Sequence, residues 1–185
     1  MTSFNTAQAR YSTGAIILHW TMALLIMVNL ALVLVRDFVQ GPVIGTLMGN
    51  HKAIGLILLV LAVLRLVWRL MHKPPPLEPT LKPWERVLAK LNHWLFYAFM
   101  IAVPLTGWMM VSDDATGEPV AWPLGLPVPE LPVDKATGGV SHDVHVVFGY
   151  CMLALLVLHV AAALKHQYLD RNATLPRMAP WLGVR

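Results

Sequence analysis

The chain has 185 residues, of which 57% are hydrophobic and only 13% are charged. Because a typical soluble domain has about twice this share of charged residues, the composition argues against a soluble protein and points to the membrane. The single cysteine, Cys151, excludes a disulfide framework, a C-x-x-C-H haem attachment and a cysteine-rich zinc or iron–sulfur site.

Four apolar segments are candidates for membrane-spanning helices, since a helix needs roughly 20 mostly apolar residues to cross the hydrocarbon core. We predict spans at residues 13–36, 51–71, 91–112 and 143–167. The expected fold is all-α: an integral membrane four-helix bundle that takes up residues 1–185 as one domain. These spans exclude a soluble enzyme and a nucleic-acid-binding protein.

The distribution of basic residues predicts the orientation of this bundle. Lys and Arg are enriched on the cytoplasmic side of membrane proteins. Most of them lie near the N-terminus, between spans two and three, or near the C-terminus, as Arg10 and Arg177 do, whereas the other side has only Arg36, Lys52 and Lys135. We therefore expect both termini in the cytoplasm, and we attribute the net charge of +4 to this asymmetry.

Eight histidines are the main functional signal, because an ionisable residue inside a membrane span is costly without a partner. His145 and His159 are separated by about four turns at roughly 3.5 residues per turn, so they share one helix face. They lie about 21 Å apart at 1.5 Å per residue. Two haems stacked in a bundle need one histidine near each surface, on the same face of one helix.

The direction of each span selects a partner for each of these two histidines. His19 lies near the cytoplasmic start of span one, level with His159, and His51 begins span two, level with His145. Each pair supplies two imidazole nitrogens, one for each axial position of a haem iron. We predict that His19 and His159 bind an inner haem and that His51 and His145 bind an outer haem.

Other interpretations of the histidines stay open. Two histidines on one helix face also occur in proton relays and metal sites, although the two levels are too far apart for one ion. His72, His93 and His142 are interpreted as polar residues at the membrane boundary. Asp143, beside His142 and His145, is a weaker candidate for a small outer metal site.

Several further residues have a place in a haem scaffold. Arg65, and Arg69 one turn later, are expected to pair with the propionates of the inner haem, and Lys52 with those of the outer haem. Alternatively, the two arginines extend their charged groups to the membrane surface and do not pair with a propionate. We expect glycines in the spans to allow a close approach of a helix or a porphyrin. These glycines are Gly55, Gly107 and Gly149.

The chain resembles the bacterial cytochrome b561 family of small di-haem membrane proteins. The matching motifs are Leu18-His-Trp, His51-Lys-Ala-Ile-Gly, Pro104-Leu-Thr-Gly-Trp, and the stretch from His145 to His159 with the residues that follow it. They cover nearly the whole chain. The resemblance implies a four-helix protein of the bacterial cytoplasmic membrane with two haem b groups, ligated by His19, His51, His145 and His159.

The resemblance also implies quinone chemistry, and some family members look like superoxide oxidases. Our leading hypothesis is a superoxide:quinone oxidoreductase that takes electrons on the periplasmic side and reduces ubiquinone near the cytoplasmic side. His166 is a candidate proton donor at the quinone, although the family often has two histidines where this chain has His166 and Gln167. Lys52 is a candidate for attracting anionic superoxide, because the outer loops are otherwise acidic.

Two other functions stay open at this point. One is a cytochrome b subunit that anchors or serves a separate dehydrogenase, or accepts electrons from a periplasmic protein; such a subunit should copurify with its partner. The other is a haem-free transporter or proton relay, which should be colourless when purified.

Overall fold

The computed structural model describes residues 10–112 and 128–182, and in these residues the secondary structure consists of four long α-helices without strands. They are α1 (Thr13–Arg36), α2 (Val43–Met71), α3 (Pro83–Val111) and α4 (Lys135–Tyr168). All four are long and apolar enough to cross a membrane. The predicted all-α four-helix membrane bundle is therefore confirmed. Part of the acidic connection between spans three and four, residues 113–127, lies outside the described residues.

Three of the helices begin about two turns before the predicted spans, and local sequence explains two of these starts. At the start of α3, Pro83 occupies the first turn, and the Glu85 carboxylate accepts a hydrogen bond from the backbone before it. At the start of α4, the Asp134 carboxylate accepts the Thr137 N–H at 2.8 Å. A hydrogen bond from the Thr137 side chain, and then this backbone bond, lowers the pKa of Asp134. Hydropathy identifies the apolar centre of a helix. Glu85 and Asp134 are polar and lie outside this centre, so the predicted spans began too late.

The helices pack in sequence order, α1 against α2, α2 against α3, and α3 against α4. Large apolar side chains point outward along all four helices, as a surface in contact with lipid requires. A small core fills the middle of the bundle. It comprises Met22, Ile26, Leu58, Ala62, Tyr97, Met100 and Met152.

We call the end of the bundle that holds the start of α1 and the end of α4 the terminal end, and the other the loop end. At the terminal end, residues 169–182 fold back over the start of α1. The Trp20 indole donates a hydrogen bond to the Met178 carbonyl at 2.8 Å, and Ala179 is fully buried. Burial in this corner raises the pKa of the Tyr11 hydroxyl above its usual value of 10.0.

Candidate functional site

Four histidines from three helices meet in two pairs inside the bundle. The ring centres of His19 on α1 and His159 on α4 are 6.2 Å apart. The ring centres of His51 on α2 and His145 on α4 are 6.0 Å apart. The first pair lies toward the terminal end and the second toward the loop end, so the structure brings together the residues that the spacing and span direction had paired. We call them the inner pair and the outer pair.

The separation within each pair suits two ligands of one iron. Metal–imidazole bonds in proteins are about 2.0 Å long, and each ring centre lies roughly 1.1 Å behind its bonding nitrogen, so two imidazoles on opposite sides of one metal have centres about 6 Å apart. Both observed distances match this value. The residues present therefore fit a haem at each level.

The outer pair has the tautomer that an iron ligand needs. Nδ1 of His51 lies 3.3 Å from the backbone oxygen of Asn29, and Nδ1 of His145 lies 2.8 Å from the backbone oxygen of Val103. A carbonyl oxygen only accepts hydrogen bonds, so in both rings Nδ1–H is the donor. In a neutral imidazole this leaves the lone pair on Nε2, the nitrogen that can bind iron.

Helix α3 supplies no histidine to either pair, but it provides the surface on which His145 rests. A methyl group at Gly107 would lie only 2.8 Å from Cε1 of His145 and 3.0 Å from its Nδ1. The Thr106 hydroxyl oxygen lies 2.8 Å from the Ala102 and Val103 carbonyls and 3.4 Å from Nδ1 of His145, which donates to the same Val103 oxygen. The stretch from Val103 to Gly107 therefore positions His145 of the outer pair.

The close approach expected of three glycines occurs at one of them. Gly107 touches His145, whereas a Cβ at Gly55 would meet only the Asn29 amide, at 4.0 Å. At Gly149 the described residues place no atom within 4 Å of such a Cβ.

The inner pair has different partners at Nδ1. The Asn92 amide nitrogen lies 3.1 Å from Nδ1 of His159, and Nη2 of Arg65 lies 3.2 Å from Nδ1 of His19. An amide can turn over and present its oxygen, so Asn92 can accept from an Nδ1–H. A guanidinium has no acceptor. Arg65 must therefore turn away if His19 is to carry its proton on Nδ1 and bind iron through Nε2.

The three basic residues assigned to propionates lie at the two levels where they were expected. Arg65 and Arg69 line one cavity at the terminal end, together with Trp68 and His72. The Arg69 guanidinium lies 5.6 Å from the ring centre of Tyr97, in a cation–π contact. At the other level, Lys52 directly follows His51 and is half-buried.

His166 belongs to a charged cluster that joins the end of α4 to the start of α3. Its Nδ1 lies 2.6 Å from the Asp170 carboxylate. The Lys165 ammonium donates to Asp170 at 2.6 Å and to Glu85 at 2.9 Å. Its hydrogen bond lowers the pKa of Asp170 below the usual 3.8. Lys165 thus already places a positive charge between the two carboxylates, which argues against a metal ion there.

Two of the three boundary histidines, His72 and His142, have local partners instead, and His93 is half-buried on α3. His72 stacks on Trp68 with ring centres 4.2 Å apart, and exposed His142 pairs with Asp143 at 3.2 Å. In the part of the chain that the structure describes, the only ligand group of three close enough for a metal ion comprises Glu85, His166 and Asp170. The weaker candidate metal site at Asp143, His142 and His145 is therefore not assembled.

Sequence reasoning missed the residues that orient the paired imidazoles. A signal was available for Asn29 and Asn92, because an amide inside an apolar span is costly unless it has a partner. The backbone oxygens of Asn29 and Val103 have no sequence signal, since every residue has a carbonyl. They become recognisable only when the helices are packed together.

Comparison with known proteins agrees with this geometry. Residues 10–181 match the family described as prokaryotic cytochrome b561. The chain is 28% identical to cytochrome b561 homolog 2 of Escherichia coli K12 over 179 residues, covering 95% of this chain and 94% of that protein. It is 27% identical to the protein named probable superoxide oxidase CybB of Yersinia pestis over 175 residues, covering 92% and 96% respectively.

Proposed function

Because the chain belongs to the prokaryotic cytochrome b561 family, we propose that it is a di-haem membrane cytochrome that passes electrons from superoxide to ubiquinone. Membership of this family makes it a multi-pass electron-transfer protein of the bacterial inner membrane and implies b-type haem. The observation that carries the proposal is the presence of two imidazole pairs, each about 6 Å across, at two levels of one bundle.

In this proposal the inner pair, His19 and His159, holds one haem and the outer pair, His51 and His145, holds the other. A haem held by these histidines would supply one-electron transfer. The remaining roles belong to nearby side chains. Arg65 and Arg69 would pair with the propionates of the inner haem, and Lys52 would pair with those of the outer haem.

The orientation in the membrane follows from the basic residues at the terminal end. Arg10, Arg65, Arg69 and Arg177 all lie there, and the positive-inside rule assigns this end to the cytoplasm. The outer pair then faces the periplasm, where superoxide arrives. Lys52 would attract this anion, because a positive charge beside the site raises the local anion concentration.

The quinone is assigned to the terminal end, where protons from the cytoplasm are available. The Asp170 carboxylate accepts the Nδ1–H of His166 at 2.6 Å, so Nε2 is the nitrogen that would take up a proton from the cytoplasm and pass it to a reduced quinone oxygen. Lys165 keeps Asp170 ionised through the 2.6 Å contact. The name of the Yersinia pestis relative, probable superoxide oxidase, supports superoxide as the electron donor.

The test begins with the detergent-purified protein. A pyridine haemochrome assay should give two haem b groups per chain, and enzymatically generated superoxide should reduce a soluble ubiquinone analogue in a reaction that superoxide dismutase abolishes. One haem or none overturns the di-haem assignment. Two haems without superoxide-driven quinone reduction overturn the donor and acceptor assignment, and copurification of a dehydrogenase would then favour the subunit interpretation.

A further inference from the structure

The two imidazole pairs differ in the groups that their Nδ1 atoms contact. In the outer pair both partners are backbone carbonyls, at 3.3 Å for His51 and 2.8 Å for His145. In the inner pair the partners are the Asn92 amide, at 3.1 Å, and the Arg65 guanidinium, at 3.2 Å. These groups contact the proposed iron ligands, so the difference would affect the reduction potential of each bound haem.

A carbonyl partner makes an iron ligand more basic. When an imidazole donates its Nδ1–H to an oxygen, negative charge accumulates on the ring and Nε2 becomes a stronger donor to the metal. A stronger donor stabilises the oxidised iron, which carries the higher charge. Both carbonyls belong to helix backbones, so neither can turn away from its histidine. Both ligands of the outer site therefore stabilise oxidised iron, which lowers the reduction potential of this site.

The inner site has the opposite bias. The Arg65 guanidinium is a permanent cation, and its contact with His19 places it beside a ligand of this site. A neighbouring positive charge destabilises the more positive, oxidised iron. Arg36 and Lys52 also place positive charge near His51, but Arg36 pairs with Asp37 at 3.3 Å and, in the described residues, neither side chain is hydrogen-bonded to a ring of the outer pair as Arg65 is to His19. Even if Arg65 turns to a propionate, its charge stays at the inner level.

We infer that the outer site has the lower reduction potential and the inner site the higher one, and that the charge of Arg65 on one side and the Asn29 and Val103 carbonyls on the other set this order. The inference rests on the proposed di-haem function. It makes electron movement from the loop end to the terminal end energetically downhill. Asn92, Thr106 and Gly107 act as positioning residues in it, and Arg65 acts through its charge.

The test is a potentiometric titration of the full-length holoprotein, followed in the visible spectrum and fitted to two one-electron components. Arg65→Gln keeps a polar side chain but removes the charge, and it should lower the higher-potential component only. Asn92→Asp, which adds a negative acceptor for His159, should lower the same component. Thr106→Val removes a hydroxyl that lies 2.8 Å from the Val103 carbonyl and 3.4 Å from Nδ1 of His145, and it should move the lower-potential component only.

Gly139→Ala is the matched control and should move neither component, because Gly139 is exposed near the start of α4 and the added methyl meets no described neighbour within 4 Å. The low-spin ferric signals in electron paramagnetic resonance show whether both histidine pairs still ligate. The order is overturned if Arg65→Gln and Asn92→Asp move the lower-potential component, or if Thr106→Val moves the higher one. A haem count below two overturns the proposed function as well, whereas two haems with the reverse order overturn this inference alone.

Discussion

His145 rests against Val103, with its Nδ1 only 2.8 Å from the backbone oxygen of that residue. The contact joins a proposed iron ligand on α4 to a helix that supplies no ligand. Because a carbonyl accepts and never donates, the contact fixes the ring's tautomer as well as its position. The packing of α3 against α4 thus prepares one face of the outer site, and the predictions below follow from such contacts.

Removal of one paired histidine should cost one haem. We expect His145→Ala and His19→Ala each to lower the pyridine haemochrome count from two haems per chain toward one, because a single imidazole leaves one axial position of the iron without its ligand. His142→Ala is the control. His142 is exposed and pairs with Asp143, so this variant should retain both haems. Full haem content in His145→Ala would contradict the assignment.

A methyl group at Gly107 should disturb the outer site. The added carbon would lie 2.8 Å from Cε1 of His145, and relief of such overpacking costs about 1–3 kcal/mol. We expect Gly107→Ala to lower the thermal unfolding midpoint and the haem content. Gly139→Ala, at an exposed position of α4 where the added methyl meets no described neighbour within 4 Å, should change neither. If the two variants behaved alike, the close contact between Gly107 and His145 would not contribute to stability or to haem binding.

The charge of Lys52 should accelerate the reaction with superoxide. We expect Lys52→Gln to lower the second-order rate constant by about 2–10-fold at low ionic strength and to weaken its dependence on salt, because steering of an anion acts through unscreened charge. Stopped-flow mixing with superoxide measures both effects. Lys73→Gln, at the opposite end of the bundle, should behave as wild type. An unchanged rate and salt dependence in Lys52→Gln would remove the steering role.

The cluster of Lys165 and Asp170 should make stability depend on pH. The Lys165 contact lowers the pKa of Asp170 below 3.8 in the folded protein, so its contribution is present above the unfolded pKa and is lost as the pH falls through the lower, folded pKa. Asp170→Asn should therefore unfold at a lower temperature than wild type at pH 7, and the gap should narrow as the pH falls below 3.8. Asp143→Asn is the control for a general loss of charge.

Arg177 should hold the C-terminal segment onto the bundle. Its side chain is 12% exposed, lies 3.2 Å from the Glu78 carboxylate and donates to the Pro76 carbonyl. Arg177→Met leaves Glu78 without this partner, which costs about 1–3 kcal/mol. We expect limited proteolysis to cut residues 169–182 faster in this variant. Arg171→Met is the control, because Arg171 is exposed, and an unchanged cleavage rate in Arg177→Met would contradict the role.

The sequence predicted the element number and type well because hydropathy and length are properties of each span alone. It was less informative about the helix starts, since Pro83 and Asp134 begin α3 and α4 through capping and not through apolar character. The juxtaposition of the four histidines was also predictable. The spacing of His145 and His159 sets two levels on one helix, and the direction of the other spans selects their partners.

What the sequence by itself determined is therefore the membrane bundle, its four spans and the two histidine levels, because each follows from periodicity along a single helix. Only the tertiary structure decided what orients the imidazoles. Whether Nδ1 meets a carbonyl, as at Val103, or a guanidinium, as at Arg65, depends on how neighbouring helices are rotated and how closely they pack. That rotation results from side-chain fit between helices, and a backbone carbonyl at such a contact has no counterpart in the pattern of residues.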